Sequence, residues 1–214
     1  MNTPPAMSKS DTTKAQIMRA AISQFTTLGF EGASMREIAH AAEVNIGLIR
    51  YHFGSKADLY RDTLAYVSEQ YNSVCLAALE DARRSGSVEE LIYSWLAAPI
   101  TRWEDSTVAS GEEVLCFLNK MGYESPELTH EVYESHYSYA LQEWQEAVRA
   151  HFPAISLADW LWCLTCLRGM YFNIVAHNDF TLWSLPAIQG REPAIRRLAA
   201  DMVALLRTYT GRAS

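Results

Sequence analysis

The residues with the clearest capacity for chemistry are three consecutive polar side chains, Arg50, Tyr51 and His52, followed by Lys56. An arginine can donate two parallel hydrogen bonds to O6 and N7 of guanine, while tyrosine, histidine and lysine can bind phosphate oxygens. Ser34 precedes a predicted helix, whose free N-terminal N–H groups also suit anions. This combination predicts contact with a nucleic acid.

Two short predicted helices position these side chains. Ser34 and Glu37 have the spacing of a capping box, so a helix begins there and ends near Ala42. Asn45 is a favourable N-cap for a second helix, which Gly54 ends. Two short helices joined by about four residues have the dimensions of a helix–turn–helix motif, whose second helix enters the major groove.

Apolar residues repeat with helical periodicity from Asp11 onward, which predicts an all-α protein. Start and stop signals place nine helices near residues 12–28, 34–42, 45–53, 55–84, 88–103, 111–121, 126–151, 157–177 and 193–210. We also expect a disordered tail over 1–10 and an irregular loop over 178–191. The change from short to long helices near residue 56 predicts a domain boundary, with a small domain over 11–55 and a larger one over 56–214.

The 214 residues include 18 Lys and Arg, 25 Asp and Glu, and 49% apolar residues, so the net charge is −7. This composition is typical of a globular chain that can bury a core without disulfides. Four cysteines, and a start that lacks a signal-peptide pattern, predict free thiols in the cytoplasm. The longest apolar stretch, over 160–176, is interrupted by Arg168 and is too short for a membrane span.

Charge is distributed unevenly along the chain. Residues 1–62 carry seven basic and six acidic groups, a net charge of +1, whereas residues 63–214 carry −8. Because phosphate binding needs a local basic surface, a polyanion would dock near the N-terminal end. A near-neutral segment without any polyanion is the alternative interpretation of the charge alone.

One ordered run resembles the DNA-binding domain of TetR-family transcriptional regulators, and it reads Phe25-x3-Gly29-Phe30-x3-Ser34-x3-Ile38-Ala39-x2-Ala42-x-Val44-Asn45-x-Gly47-x-Ile49-x-Tyr51-His52-Phe53-x-Ser55-Lys56-x2-Leu59. The resemblance covers about residues 14–60. It implies an all-helical homodimer with a helix–turn–helix DNA-binding domain over 11–55. It also implies a C-terminal domain over 56–214 that dimerises and binds an effector.

The resemblance assigns the DNA contacts residue by residue. Contacts to phosphate are assigned to Ser34, Tyr51, His52 and Lys56, contacts in the groove to Asn45, Gly47, Leu48 and Arg50, and Arg36 is included in the DNA-binding set. The family more often has serine, a small polar residue and an aromatic residue where this chain has Asn45, Leu48 and Arg50, so the operator sequence cannot be carried over. Tyr51 and His52 could instead pack on the first helix, which is the role that we predict for Ile49 and Phe53.

The C-terminal part is rich in aromatic side chains, which either fill a core or line a cavity. The resemblance favours a cavity for an apolar or aromatic effector. Candidate ligand-binding residues are Trp103, Phe117, Met121, His136, Tyr137 and Arg168. For Arg168, if it is buried, the alternatives are an ion pair with Glu131 or Glu134, an ion pair across a dimer interface, and an effector anion in the cavity.

The last two predicted helices, over 157–177 and 193–210, are more apolar than a monomer core requires. We therefore expect a dimer interface there. Its candidate residues are Leu161, Leu164, Leu198, Met202, Leu205 and Tyr209. The alternative is that the last helix only covers the core of one monomer.

Cys163 and Cys166 lie within a helix rich in apolar residues, where cysteines usually act as small core residues. A structural zinc site needs four ligands, and a second pair of suitable spacing is lacking. We therefore predict no metal, no cofactor and no enzymatic activity. The favoured interpretation is a cytoplasmic regulator, more often a repressor than an activator, which its effector releases from a palindromic operator. The alternative is a helical enzyme or a metal-binding protein that uses the cysteine and histidine residues of the chain.

Overall fold

A computed structural model describes residues 9–103, 108–175 and 191–211. These residues form α-helices joined by short turns, which confirms the all-α prediction. The helices are α1 (Lys9–Gly32), α2 (Met35–Ala41), α3 (Ile46–Phe53), α4 (Lys56–Arg83), α5 (Val88–Thr101), α6 (Gly111–Met121), α7 (Pro126–Val132), α8 (Ser138–Arg149), α9 (Leu157–Val175) and α10 (Arg191–Thr210). Because α7 and α8 are continuous, the described ranges contain nine helical runs, as predicted.

Local capping explains why several helix starts were predictable. The Ser55 hydroxyl accepts a hydrogen bond from the Asp58 backbone N–H at 3.1 Å, and the Asp58 carboxylate accepts one from the Ser55 N–H at 3.1 Å. Ser110 and Glu113 exchange the same two bonds at the start of α6. Each reciprocal pair satisfies backbone donors that the helix leaves free.

A glycine interrupts α1 at the predicted position. Gly29 has φ 71° and ψ 177°, a conformation that only glycine adopts without strain. The regular helix therefore ends at Leu28, as predicted, and residues 30–32 form one further turn.

The helix predicted over 126–151 contains an irregularity. Residues Tyr133–Tyr137 form a π turn between α7 and α8, so the run accommodates one residue more than a regular α-helix would. Hydrophobic periodicity predicts the helix but does not reveal such an insertion.

The described residues form two compact units. The first unit contains residues 9–68 and 108–133, and the second contains 69–103, 134–175 and 191–211. Helix α4 contributes to both units, and α6 and α7 belong to the first. This division differs from the boundary predicted at residues 55 and 56, because α6 and α7 pack with the N-terminal helices.

An aromatic cluster forms the core of the first unit. The Tyr60 ring packs edge-on against Phe25 and Phe117, with ring centroids 4.9 and 5.5 Å apart. All three side chains are buried, and burial raises the pKa of the Tyr60 hydroxyl well above its usual value. The cluster joins α1, α4 and α6.

The core of the second unit contains a proline within α5. Pro99 lacks an N–H, so it cannot bond to the carbonyl of Trp95, four residues earlier. The buried Cys75 thiol donates to that carbonyl from α4, with Sγ 3.8 Å from the oxygen. Burial raises the pKa of the Cys75 thiol, which therefore keeps the proton that it donates.

Two predicted irregular segments fall largely outside the described residues. Of the tail predicted over 1–10, Lys9 and Ser10 belong to α1, and the remainder is not described. Of the loop predicted over 178–191, Arg191 is the first residue of α10, and residues 178–190 are not described.

Candidate nucleic-acid interface

Helices α2 and α3 form the predicted helix–turn–helix geometry. The Ser34 hydroxyl caps α2 by accepting from the Arg36 N–H at 3.3 Å, whereas the predicted capping box would use the N–H of Glu37. Asn45 caps α3 by accepting from the Gly47 N–H at 2.7 Å. Between the helices, Glu43 has a positive φ of 55°, which turns the chain sharply.

Helix α3 has one buried face and one exposed face. Ile49 and Phe53 are buried, which confirms their predicted packing role. Gly47, Leu48, Arg50 and Tyr51 are exposed, and the Tyr51 side chain is 82% exposed. An arginine and a tyrosine that project from the second helix of such a motif are available to a duplex.

The other predicted DNA-binding residues lie around this exposed face. Arg36 and Asn45 are exposed, and Ser34 and His52 are half-buried. The His52 ring packs edge-on against Tyr51, with centroids 5.1 Å apart, so His52 both supports a neighbour and remains accessible. Within the described ranges, Arg50 forms no ion pair with an acidic side chain.

Lys56 has contacts that the sequence did not predict. Its ammonium group donates to the carbonyl oxygens of Phe30 at 2.8 Å, Glu31 at 3.4 Å and Ala33 at 3.1 Å. The same group lies 4.4 Å from the centroid of the Phe30 ring. Because an ammonium has three N–H donors, these carbonyls engage all of them. The contact between Lys56 and phosphate therefore stays a prediction. Its observed role is to hold the α1–α2 turn, which comprises the last turn of α1 and the link to α2 (residues 30–34).

Glu124 also contacts the α1–α2 turn and was missed at the sequence level. Its carboxylate, in the turn between α6 and α7, accepts the Phe30 N–H at 2.8 Å. The two residues are 94 positions apart, so no local sequence signal could reveal the contact.

The six candidate ligand-binding residues are divided between the two units. Phe117 and Met121 are buried in the first unit, where Phe117 belongs to the aromatic core. The other four lie in the second unit and are Trp103, His136, Tyr137 and Arg168. A groove of about 230 Å³ between α4 and α5, with Tyr93 and Arg102 among its lining residues, contains none of the six.

Within the single chain, the condition that Arg168 is buried is not met. Its side chain is exposed on α9, and its guanidinium lies 5.8 Å from the centroid of the Phe172 ring. The apolar run around it is therefore not buried on every side, and an exposed guanidinium does not require an ionic partner.

His136 and Tyr137 occupy an organised site at the π turn. His136 Nδ1 lies 2.8 Å from the Glu69 carboxylate, and its backbone carbonyl accepts from Asn72 Nδ2 at 2.5 Å. The Tyr137 ring stacks on Tyr71, with centroids 5.5 Å apart. Asn72 is fully buried, and its Oδ1 has no hydrogen-bond partner among the described residues.

The candidate dimer residues separate into two groups. On α9, Leu161 is exposed and Leu164 is half-buried, and Leu157, Trp162 and Met170 are exposed on the same helix. On α10, Leu198 and Met202 are buried within one chain, while Leu205 and Tyr209 are half-buried. Packing within the monomer thus explains Leu198 and Met202 without a partner.

Further features concern metals and membranes. Cys163 is buried, Cys166 is half-buried and both are free thiols. Among the described residues, no three or more His, Cys, Asp or Glu side chains are grouped so that they could hold a metal ion. Within the same ranges, none of the helices combines the length and apolar character needed to cross a membrane.

Comparison with known proteins agrees with this geometry. Residues 17–63 match the family model described as "Bacterial regulatory proteins, tetR family", and this segment contains α2 and α3. The pair α2 and α3, with the exposed face of α3, has the geometry of a helix–turn–helix motif. Over residues 17–63 the chain is therefore similar to the TetR family of bacterial regulatory proteins.

Curated relatives match part of the chain. The chain is 32% identical over 80 residues to the probable HTH-type transcriptional regulator YttP of Bacillus subtilis, covering 37% of this chain and 39% of that protein. It is 34% identical over 103 residues to the HTH-type transcriptional regulatory protein RaaS of Mycobacterium tuberculosis, covering 48% of each. The matches thus span less than half the length of these relatives.

Solved structures share the fold over most of the chain. A putative TetR-family transcriptional regulator from Mesorhizobium loti is 17% identical, with a TM-score of 0.60 over 95% of this chain and 99% of that one. A putative family member from Shewanella sp. PV-4 is 18% identical, with a TM-score of 0.61 over 91% and 95% of the two chains. At such low identity the likeness concerns the fold alone.

Proposed function

We propose that this protein is a transcriptional regulator that binds operator DNA through α2 and α3. The observation that carries the proposal is the division of α3, which buries Ile49 and Phe53 and exposes Arg50 and Tyr51. The buried pair anchors the helix, and the exposed pair projects a cation and a phenol toward solvent. Arg50 reads a base in the major groove, and Tyr51 binds phosphate.

The remaining contacts complete a phosphate-binding rim around the recognition helix α3. Ser34 and Arg36 at the start of α2 approach one strand, together with the free N–H groups of that helix. His52 and Lys56 approach phosphates beyond α3, and Asn45, Gly47 and Leu48 enter the groove with Arg50. The net charge of +1 over residues 1–62, against −8 over the rest, supports docking at this end of the chain.

A gel-shift assay on genomic fragments tests this function, and the Arg50→Ala variant identifies the surface. We expect the wild type to retain discrete fragments at moderate salt and the variant to lose them. Arg149→Ala is the matched control, because Arg149 is an exposed arginine at the end of α8. The proposal would be contradicted if the protein retained DNA fragments only diffusely and if Arg50→Ala and Arg149→Ala weakened this retention to the same extent.

We further propose a homodimer that uses the apolar face of α9 and binds a palindromic operator. Leu157, Leu161, Trp162 and Met170 are all exposed large apolar side chains of this one helix. Exposed apolar side chains concentrated on one element are typical of an association surface. A two-fold dimer presents two copies of α3, which explains the expected palindrome.

The proposal also includes a small-molecule effector that releases a repressor from its operator in the cytoplasm. Its site is proposed at the π turn, where Tyr137 offers an aromatic face and the buried Asn72 Oδ1 offers an acceptor for a ligand donor. An effector that binds more tightly to the state that cannot bind DNA weakens operator binding. The free energy of operator binding changes by at most the difference between the effector's binding free energies for the two states.

A panel of aromatic and acyl compounds, screened for release of a bound fragment, tests the effector site. Tyr137→Ala should abolish the release that an active compound causes. Tyr139→Ala, which alters an exposed tyrosine two residues away, should leave release intact. A reporter gene placed behind the bound fragment distinguishes repression from activation. Equal release from all three proteins would place the effector elsewhere.

A further inference from the structure

Phe30 lies in the last turn of α1, just after the break at Gly29, and it is held at three points. Its backbone N–H donates to Glu124 Oε1 at 2.8 Å, and its carbonyl accepts from Lys56 Nζ at 2.8 Å. Its ring packs edge-on against Tyr60, with centroids 5.5 Å apart. An anion therefore holds the N–H side of the residue, and a cation holds the carbonyl side.

The location of Phe30 gives this anchoring a consequence for DNA binding. Phe30 follows the break at Gly29, and Ser34 caps α2 only four residues later. Helix α2 packs against α1 and against α3. Whatever fixes Phe30 therefore fixes where α2 begins, and α2 supports the recognition helix.

Glu124, which contributes to fixing the start of α2 through Phe30, comes from a distant part of the chain. It lies in the turn that joins α6 to α7, and α6 packs on α1 through Phe117 and Phe25, whose ring centroids are 6.3 Å apart. Arg61 of α4 donates to the carbonyl of Glu127, in the first turn of α7, at 3.2 Å. Contacts with α1 and α4 thus hold the segments on both sides of the α6–α7 turn, and Glu124 extends from that turn to the α1–α2 turn.

The fit around the Glu124 carboxylate is close. A Cβ atom at Gly29 would lie 3.2 Å from Glu124 Oε1, so the missing side chain makes room for the carboxylate. The same glycine adopts the positive φ that ends α1. One residue therefore provides both the break in the helix and the space for the acceptor.

We propose that Glu124, in the turn between α6 and α7, is a positioning residue that holds α2 and α3 in the arrangement that binds DNA. This inference rests on the proposed DNA-binding function. When the bond between Glu124 and Phe30 is broken, the α1–α2 turn loses its N–H anchor and the DNA-competent arrangement becomes less populated. Loss of this bond thereby lowers operator affinity without any change in the residues that touch DNA.

Three variants of Glu124 separate the hydrogen bond from the charge. Glu124→Ala removes the acceptor, Glu124→Asp keeps the charge but draws the acceptor back by one methylene, and Glu124→Gln keeps an acceptor oxygen without the charge. Glu131→Ala is the matched control, because Glu131 is an exposed acidic residue of α7 in the same unit. Two quantities are measured in the intact protein: hydrogen exchange at the Phe30 amide, and affinity for a duplex that the wild type selects from a random pool.

In Glu124→Ala and Glu124→Asp, we expect the Phe30 amide to exchange about tenfold faster and the affinity to fall by about tenfold. The dependence of log affinity on log salt should keep its slope, because the phosphate contacts in the bound state are unchanged. Glu124→Gln should stay close to the wild type in both measurements. Glu131→Ala should leave exchange unchanged and should not weaken DNA binding.

Two results would overturn the proposal. One is wild-type exchange at Phe30 in both Glu124→Ala and Glu124→Asp. The other is faster exchange in these variants with wild-type affinity, which would leave Glu124 a purely structural role. If Glu124→Ala does not fold, the comparison of Asp with Gln decides between these outcomes. A wild type that selects no duplex would refute the proposed function instead, and the exchange measurement would still show whether Glu124 holds the turn.

Discussion

At the scale of single residues, two cations near the recognition helix are engaged in different ways. Arg50 is exposed and forms no ion pair within the described residues, so its guanidinium is available to a base. Lys56 has all three of its donors on backbone carbonyls of residues 30, 31 and 33. The two cations are thus engaged differently within the chain, because Lys56 holds the α1–α2 turn in addition to the phosphate contact proposed for it, whereas Arg50 has no such partner among the described residues.

For Arg50→Ala, we expect weaker preference at one position of each half-site. A bidentate contact between arginine and guanine discriminates against other bases by about 1–3 kcal/mol, and alanine cannot form it. Binding-site selection with the variant measures the effect. Recovery of an unchanged wild-type motif would show that Arg50 does not read a base.

For Lys56→Met, we expect a loss of about 1–3 kcal/mol in the free energy of unfolding, because three carbonyls lose their charged donor. Methionine keeps an apolar contact with the Phe30 ring, so the loss reports the ammonium group. Denaturant unfolding measures the change. Unchanged stability would contradict the capping role, and a salt slope reduced by about one unit would show that Lys56 also binds phosphate.

At the scale of elements, α5 depends on α4 for a hydrogen bond that its own sequence removes. Pro99 leaves the Trp95 carbonyl without an intrahelical donor, and the buried Cys75 thiol occupies that position. The hydroxyl group of Tyr171, on α9, donates to the neighbouring Leu96 carbonyl at 2.7 Å. The last turn of α5 is therefore stabilised by side chains from two other helices.

For Cys75→Ala, we expect the free energy of unfolding to fall by about 1–3 kcal/mol, because a buried carbonyl loses its donor and a small cavity forms. In a Pro99→Ala background the helix regains an N–H at residue 99, so the same substitution should cost less. A double-mutant cycle by denaturant unfolding isolates this coupling. Equal costs in both backgrounds would show that the thiol only fills space.

Local signals determine which elements could be predicted. Ser110 and Glu113 lie three residues apart, so the start of α6 was visible in the sequence, and Gly29 marked the end of the regular part of α1. The π turn was not visible, because apolar periodicity tolerates one extra residue. The sequence identified the exposed face of α3, whereas Glu124 was missed because its partner lies 94 residues away.

The exposure of Arg168 has a different physical explanation. The sequence left open whether the apolar run around it is buried, and α9 exposes several of its apolar residues in one chain. Apolar periodicity reports which positions avoid water in the assembled protein, and it does not distinguish a monomer core from a surface that a partner covers.

At the scale of the whole molecule, the outward apolar face of α9 is the feature that a monomer leaves unexplained. The outward positions of α10, in contrast, include a surface ion pair between Arg197 and Asp201 at 2.9 Å. The proposed dimer is therefore centred on α9, and α10 contributes mainly to the core of its own chain.

For Leu161→Asp, we expect conversion of a dimer into a monomer of 24.1 kDa, because each interface would bury two new carboxylates. Leu28→Asp is the matched control, since Leu28 and Leu161 are each 52% exposed in the single chain. Sedimentation at micromolar concentration gives the mass. A wild type that sediments as a single chain, or an equal effect of both substitutions, would exclude α9 as the interface.

The π turn also affects how this chain should be aligned with its relatives. From Leu128 to Val148, the buried side chains of α7 and α8 include Val132, Ala140 and Trp144, so they recur at multiples of four residues. A regular helix repeats about every 3.6 residues, so positions spaced by four residues shift steadily around it. The extra residue within Tyr133–Tyr137 compensates for part of this rotation. A relative with an uninterrupted helix here should therefore align only when a one-residue gap is opened in this turn, and an ungapped alignment would pair every later core position with the wrong neighbour.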